Sequence, residues 1–396
     1  MSPIIFDMYV DSLIHELNQD SFTDLPSCLF FADDGLLLAQ IEKHRQKILS
    51  IAERWAKRNS MIYNISKCGV IYINPPTVGE NLLTLSNNPI PIVSTYKYLG
   101  FPIISQGIDF TTHIQNQITS TSSFLKFVQV QCSEWTPYTR YIIYNTFLRP
   151  KLEYGAPLTF ECKDSSLFES LQNIQNTAFA WIFNSNVKRP NVLQGILGAL
   201  PIHIRFSHLR TSFQLHLSHS NKGNPLQKLI QTSKSNQYIH AFKSNRLYSQ
   251  FLTIPELPSS YQLLKVKLSN FLLSERSAIL SKSTSILVNY IPLTARTDAL
   301  LDKTLKSPIQ FQRKFLTWRR GTMFYGMKCV CNQSWTRRHI PCLPEISLTF
   351  ELDVKFNQSL KEHSQNFSKL DFLLNIQAWD EAAKVLDSWQ TFLSKK

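Results

Sequence analysis

Three groups of side chains in this 396-residue chain have types and spacings that could do chemistry. Asp33 and Asp34 stand side by side between the apolar runs Leu29-Phe30-Phe31-Ala32 and Gly35-Leu36-Leu37-Leu38. Adjacent carboxylates on a rigid support suit hard divalent cations and, through them, phosphoryl transfer. They equally suit a solvated turn, since Asp accepts turn geometry readily. Lys67 precedes a strand-like stretch and offers a single cation, which an ordinary solvated lysine at a strand start would offer equally. Cys329, Cys331, His339 and Cys342 offer three thiols and an imidazole, the donor set of a tetrahedral zinc site. Reduced cysteines gathered by chance are the alternative here.

The elements that must hold these groups can be read from the pattern. The apolar flanks of Asp33 and Asp34 have strand length, and Asp34-Gly35 predicts a tight hairpin turn with both carboxylates at its tip. Ile41, Ile48, Ala52 and Trp55 recur at helical spacing among Glu42, Lys43, Arg45, Lys47, Glu53, Arg54 and Lys57, which predicts an amphipathic helix. Asn64-Ile65-Ser66-Lys67-Cys68 then leads into Gly69-Val70-Ile71-Tyr72-Ile73, a predicted strand. A turn-rich stretch ends at Tyr96-Lys97-Tyr98-Leu99-Gly100-Phe101. At the start, Ser2 is placed to cap a helix and Pro3 to occupy its first turn.

In this order, these segments resemble the reverse transcriptase of non-LTR (LINE-type) retrotransposons. Phe31-Ala32-Asp33-Asp34 is similar to that family's metal-binding palm hairpin, and Ser2-Pro3-Ile4-Ile5-Phe6-Asp7-Met8-Tyr9 to the helix upstream of it. The Lys67 segment resembles the next polymerase motif, and Tyr98, Leu99 and Gly100 the primer grip. The resemblance is close over residues 1 to 105 and looser to about 215. It implies an RNA template, a DNA primer and deoxynucleoside triphosphates as partners. It also implies magnesium or manganese held by Asp33 with Asp34 in support, Lys67 near the leaving pyrophosphate, and two-metal nucleotidyl transfer to a primer 3′-hydroxyl.

The same resemblance implies a third metal-binding carboxylate on a strand upstream of the Ser-Pro helix, whereas Met1 immediately precedes that helix here. Asp7 and Asp11, four apart on one helix face, are a solvent-facing pair rather than substitutes. Loss of one of three ligands weakens metal binding and misplaces the attacking hydroxyl. The expectation is therefore a truncated polymerase, inactive alone, with a non-catalytic RNA- or DNA-binding remnant as the alternative.

Charge distribution agrees with a nucleic-acid partner. The formal net charge is +14, and residues 201–340 carry 21 Lys or Arg against Glu256, Glu275, Asp298 and Asp302. No acidic residue lies between Glu169 and Glu256. A field of one sign favours phosphate backbones through counterion release. Seven scattered cysteines argue against a secreted disulfide framework, and no apolar run reaches membrane-span length. The expected setting is intracellular, nuclear or cytoplasmic, without a membrane.

The expected fold class is α+β. A partial palm of antiparallel sheet and helices over 1–108 is followed by a helical thumb over 109–216. A linker over 217–260 and a basic, mostly helical region over 261–396 complete it. Helical stripes fall at 111–130, 139–160 and 167–183, with Pro150 bending or re-registering the second. Phe147-Leu148-Arg149-Pro150-Lys151-Leu152-Glu153-Tyr154-Gly155 and Leu197-Gly198-Ala199-Leu200-Pro201 resemble runs found after the primer grip in the same family. Cys329, Cys331, His339 and Cys342 resemble its Cys-Cys-His-Cys knuckle in order and position, with a tighter Cys-x-Cys and only two residues between His339 and Cys342. With Arg313, Lys314, Arg319, Arg320, Arg337 and Arg338 nearby, the resemblance implies a zinc-pinned basic hairpin gripping RNA. Trp318 is read as a packing residue, and 369–393 as two short amphipathic helices.

Overall fold

The computed structural model describes residues 3–19, 26–39, 41–73, 82–161, 165–184, 190–218, 261–281, 299–320, 323–324, 326–334, 337–360 and 368–395. These fall into two compact units, one over residues 1–116 and one built from residues 117–216 and the described residues from 261 onward. The expected linker at 217–260 and the Ser2 cap lie almost wholly outside the described residues.

The first unit opens with α1 (Pro3–Gln19), the hairpin β1 (Cys28–Phe31) and β2 (Asp34–Leu37), and α2 (Glu42–Arg58). Of the apolar stripe read from the sequence, α2 buries Ile48, Ala52 and Trp55, which together with Ile51 and Ala56 pack with Val10, Leu13 and Leu17 of α1 and with Cys28, whereas Ile41 stands before the helix and is exposed. Trp55 donates its indole N–H to Ser12 Oγ at 2.8 Å, and Tyr9 meets the Trp55 ring edge-on. This satisfies the one polar atom that burying an indole would otherwise strand. Burial pushes the Cys28 thiol up to about 11, so it is a packing residue rather than a nucleophile.

Two short elements follow, β3 (Thr84–Leu85) and β4 (Asn88–Pro89), and then a three-stranded antiparallel sheet of β5 (Thr95–Tyr98), β6 (Phe101–Ile104) and β7 (Gly107–Ile108). Gly69–Ile73 departs from expectation. It forms only a parallel bridge between Val70 and Ile92, fixed by Val70 N–H to the Pro91 carbonyl and Val93 N–H to the Val70 carbonyl. Its β-branched residues satisfied the strand pattern, but a strand needs a neighbour along its whole length, and this segment has one at a single point. Lys67 accordingly closes a 3-10 turn (Ile65–Lys67) instead of starting a strand.

The second unit is helical. α3 (Phe110–Gln131) contributes its residues from 117 onward to this unit. α4 (Pro137–Ile143), a π-turn (Tyr144–Leu148) and α5 (Arg149–Glu153) form one continuous rod. Pro150 has no N–H for the usual helical bond, and the wider π-turn just before it is the re-registration anticipated from the sequence. α6 (Ser165–Ile182), α7 (Pro190–Leu197) and α8 (Ile202–Ser218) follow. Glu153 ties this part together, accepting from Arg205 Nε and Nη2 at 2.9 and 2.8 Å and from Arg149 Nε at 2.8 Å. Burial works against its charge, but the two guanidinium groups outweigh it and hold the carboxyl below its ordinary value. α9 (Tyr261–Ser281) sets Leu264, Leu268 and Leu272 against Leu215 of α8.

The remaining helices are α10 (Ala299–Leu305), α11 (Ile309–Arg320), α12 (Phe350–Leu360), α13 (Lys369–Asn375) and α14 (Trp379–Ser394). The last two are the short amphipathic helices expected at 369–393. Phe315, Trp318, Phe324, Leu370, Leu373, Leu386 and Trp389 make their common core, with Trp318 fully buried as anticipated. Overall the fold is α+β: small antiparallel sheets in the first hundred residues, then a mostly helical remainder. Among the described residues, no helix is long and apolar enough to cross a membrane.

Candidate functional site

The hairpin that carries the paired carboxylates is real, but its turn is not where Asp-Gly placed it. Phe31 pairs with Asp34 and Phe30 with Gly35, so the two turn residues are Ala32 and Asp33. Ala32 takes φ 50°, a left-handed conformation that costs an L-residue about 1–2 kcal/mol. Gly35 is needed for another reason: a Cβ there would lie 2.6 Å from Cε1 of Phe30, whose ring crosses the hairpin at that point. The pairing decides what each carboxylate does. Asp33 sits in the turn, whereas Asp34 is in register with Phe31 and shares its outward face. Both are exposed, and Phe31 beside them is 66% exposed.

Two tyrosines of β5 reach toward this hairpin. Tyr98 donates its hydroxyl to the Leu29 carbonyl of β1 at 3.5 Å, and Tyr96 donates to the Lys67 carbonyl at 2.6 Å. Burial first, and then the Asp34 carboxylate, push the Tyr98 phenol up. For Tyr96 the order is burial, Cys68, then Asp34. Asp34, Lys67, Tyr96 and Tyr98 are therefore one neighbourhood in the first unit. The segment Tyr98-Leu99-Gly100 is a turn, with Leu99 at φ 47° and Gly100 at φ 81° joining Tyr98 to its partner Phe101. Two successive positive φ values match the right-handed twist of the strands, which suits Gly100 and strains Leu99. Tyr96 was missed as a site residue. Strand alternation carried the signal, because residues two apart on a strand share a face.

The second set lies in the second unit. The ligand atoms of Cys329, Cys331, His339 and Cys342 all lie within 4.8 Å of one another. Donors about 2.3 Å from a common tetrahedral ion would be roughly 3.8 Å apart, so a small contraction closes this group on zinc. Local folding explains the convergence. Lys328 pairs with Ser334, Cys329 N–H bonds the Gln333 carbonyl, and Asn332 at φ 65° turns the chain between them. A 3-10 turn, Arg337–Cys342, brings His339 and Cys342 back, with Cys331 Sγ 3.2 Å from His339 Nδ1. Burial opposes charge on Cys329, but the backbone N–H of Cys331, the neighbouring thiols and the Val330 N–H outweigh it and hold this thiol below its ordinary value. The chemistry and closeness of the donors fit zinc better than a harder cation.

The basic residues expected to grip RNA divide. Arg313 is exposed, and Lys314 pairs with Asp387 at 2.6 Å. Arg319 departs from expectation. It is 2% exposed and bonded to Asp371 at 3.1 Å, within a core that also takes the Trp318 indole N–H to the same carboxylate. Its place on the core face of α11, beside Trp318, removes it from any nucleic-acid surface. The side chains of Arg320, Arg337 and Arg338 lie outside what is described.

No curated protein and no solved structure matches the chain. Residues 1–103, which hold the carboxylate hairpin, Lys67 and the Tyr98 turn, match the model of a family described as Reverse transcriptase (RNA-dependent DNA polymerase). That segment of the chain is thereby assigned as a reverse transcriptase domain, and residues 104–396 rest on their own structure.

Proposed function

We propose that residues 1–103 are the distal palm of an RNA-directed DNA polymerase of the non-LTR retrotransposon type. Asp33 and Asp34 hold magnesium or manganese, Lys67 faces the leaving pyrophosphate, and Tyr98, Leu99 and Gly100 steady the primer end. One observation carries this: three motifs far apart in sequence, the Asp33-Asp34 hairpin, the Lys67 turn and the Tyr98 turn, are tied together in one compact unit by the hydroxyls of Tyr96 on the Lys67 carbonyl and Tyr98 on the Leu29 carbonyl, over the residues that match the family. Divalent ions so held would supply activation of the primer hydroxyl and neutralisation of the triphosphate. The chain's own contributions are the strained hairpin that presents Asp33, the Lys67 ammonium as proton donor, and the Tyr98 turn as a support.

Residues 109–216 serve as the thumb on this assignment. The basic region beyond it binds RNA template and DNA primer, with Cys329, Cys331, His339 and Cys342 as a zinc knuckle. Among the described residues, the Cys/His set is the one group of three or more ligands placed to hold a metal, so Asp33 and Asp34 have no third partner there. The second reading is nucleic-acid binding without catalysis, favoured by the 21 Lys or Arg against four acidic residues over 201–340.

The test is primer extension on a primed RNA template with magnesium, run with the 396-residue chain and its Asp33→Asn variant, beside binding at two salt concentrations. We expect steeply salt-dependent binding by both proteins and extension by neither. Extension by the parent alone would mean that this chain completes its own metal set and acts as a polymerase. Absence of binding at low salt would overturn the nucleic-acid assignment altogether.

A further inference from the structure

We propose that Tyr96 is a positioning residue that seats the Lys67 turn against the Asp34 hairpin, through its hydroxyl on the Lys67 carbonyl and its ring on Gly69. The inference rests on the polymerase assignment of Asp33, Asp34 and Lys67 and adds a residue to it.

The Lys67 segment has little holding it. It is a single 3-10 turn with no buried residue, followed by a chain that pairs with its neighbour only at Val70. The hydrogen bonds from Lys67 N–H to the Asn64 carbonyl and from Cys68 N–H to the Ile65 carbonyl are local and say nothing about where the turn sits. Contacts with 91–96 place it, together with the Arg45 guanidinium of α2 over the Tyr72 ring at 5.0 Å. Two backbone hydrogen bonds fix Val70, and the Tyr96 phenol, at 2.6 Å, is the contact that reaches back to residue 67 itself. The ring is held as well. A Cβ on Gly69 would stand 3.1 Å from Tyr96 Cδ2 and 3.0 Å from Val93 Cγ2, so the absence of a side chain at 69 lets the ring lie against the backbone. Tyr96 is anchored in β5 by pairing with Ile103, and Tyr98, two residues on, reaches the Leu29 carbonyl of the hairpin. One short strand therefore touches both halves of the site: the turn that carries the ammonium and the strand that leads to the carboxylates. The influence of Asp34 on both phenols agrees with that placement.

The test reads the distance from Lys67 to the metal rather than turnover. Lysines of the full chain are reductively methylated with a carbon-13 label, Lys67 is identified by its disappearance in Lys67→Arg, and manganese is titrated in. Paramagnetic broadening falls steeply with distance, so the Lys67 signal should broaden in the parent. Asp33→Asn should abolish that broadening.

Tyr96→Phe removes only the hydroxyl. Loss of one phenol–carbonyl hydrogen bond should lower the ratio of seated to unseated turn by roughly fivefold. Lys67 broadening should fall severalfold, with manganese affinity unchanged and the neighbouring Lys97 signal as an internal reference. Lys67 broadening equal to the parent's in Tyr96→Phe would overturn the positioning role while leaving the metal site standing. No broadening in the parent, or broadening indifferent to Asp33→Asn, would overturn the metal assignment, and the role of Tyr96 would fall with it. A purely structural Tyr96 would lower the melting temperature and leave the broadening as in the parent.

Discussion

Asp33 and Asp34 stand exposed at the end of a two-stranded hairpin, whereas Cys329 enters a core of Phe315, Trp318, Phe324, Leu370, Leu386 and Trp389. The carboxylates have no third ligand among the described residues, and the thiols have a full set of four. Metal sites that do chemistry keep a position open for substrate, and sites that hold a fold together are closed by protein donors. On the proposed assignments, the hairpin belongs to the open kind and the Cys/His group to the closed kind. The Cys/His group has four donors of its own, of which Cys329 is a buried core residue and Cys331 is exposed.

The largest expected effect is on the support beneath the Cys/His group. Asp371 is fully buried, accepts from Arg319 and from the Trp318 indole, and closes a capping box with Ser368 at the start of α13. Asp371→Ala leaves the Arg319 guanidinium buried without its counter-charge and removes a helix cap, at a cost of about 3–5 kcal/mol. Denaturant unfolding followed by tryptophan fluorescence should show an early transition, with loss of bound zinc at the same denaturant concentration. If zinc stayed bound after that core opened, the site would be independent of its scaffold and the comparison would break.

The sequence makes the two sites unequally legible, for physical reasons. The Cys329 to Cys342 set lies within fourteen residues of chain, and local turns bring it together, so donor types close in sequence were enough to single it out. The hairpin site is assembled from residues 33 to 98. Its motifs were readable one by one, but the Tyr96 contact depends on how β5 lies against the Lys67 turn, which no local pattern specifies. The displaced turn at Ala32-Asp33 has a similar cause. Asp34-Gly35 has ideal turn chemistry, yet Gly35 is required in the strand, where the Phe30 ring excludes a side chain. The periodicity of α2 was plain because one face is buried along its length. Arg319 was misread because a cation next to other cations suggests a surface, and only the buried Asp371, far along the chain, turns it inward.

A smaller effect should follow from removing the metal itself. Cys331 is exposed, so Cys331→Ser disturbs no packing and reports on coordination. Stoichiometric zinc in the purified parent, measured by elemental analysis, should fall to background in the variant. At free zinc a hundredfold above the dissociation constant the ion contributes about 2.7 kcal/mol to stability, so a strong chelator should lower the parent's melting temperature and leave that of Cys331→Ser unchanged. Equal melting temperatures with and without chelator in the parent would mean that the four donors are not a metal site.

The smallest effect on stability, and the sharpest contrast, belongs to Asp33→Asn. Asp33 lies in a two-residue turn with its side chain in solvent, and the apolar anchors of the hairpin, Cys28 and Phe30, are on the other side of the strand pairing. Replacing an exposed turn carboxylate by its amide should change unfolding free energy by less than about 0.5 kcal/mol. Asn tolerates turn geometry as well as Asp, but it contributes no charge to a divalent ion. Manganese affinity, followed by electron paramagnetic resonance of the free ion, should therefore drop while the melting temperature does not move. The pairing of those two results carries the inference. A carboxylate kept for the fold would cost stability when neutralised, and a carboxylate kept for a ligand costs only the ligand. A clear loss of stability in Asp33→Asn without any loss of manganese would place Asp33 with Asp371 as a structural acid, and the hairpin would lose its claim to a metal.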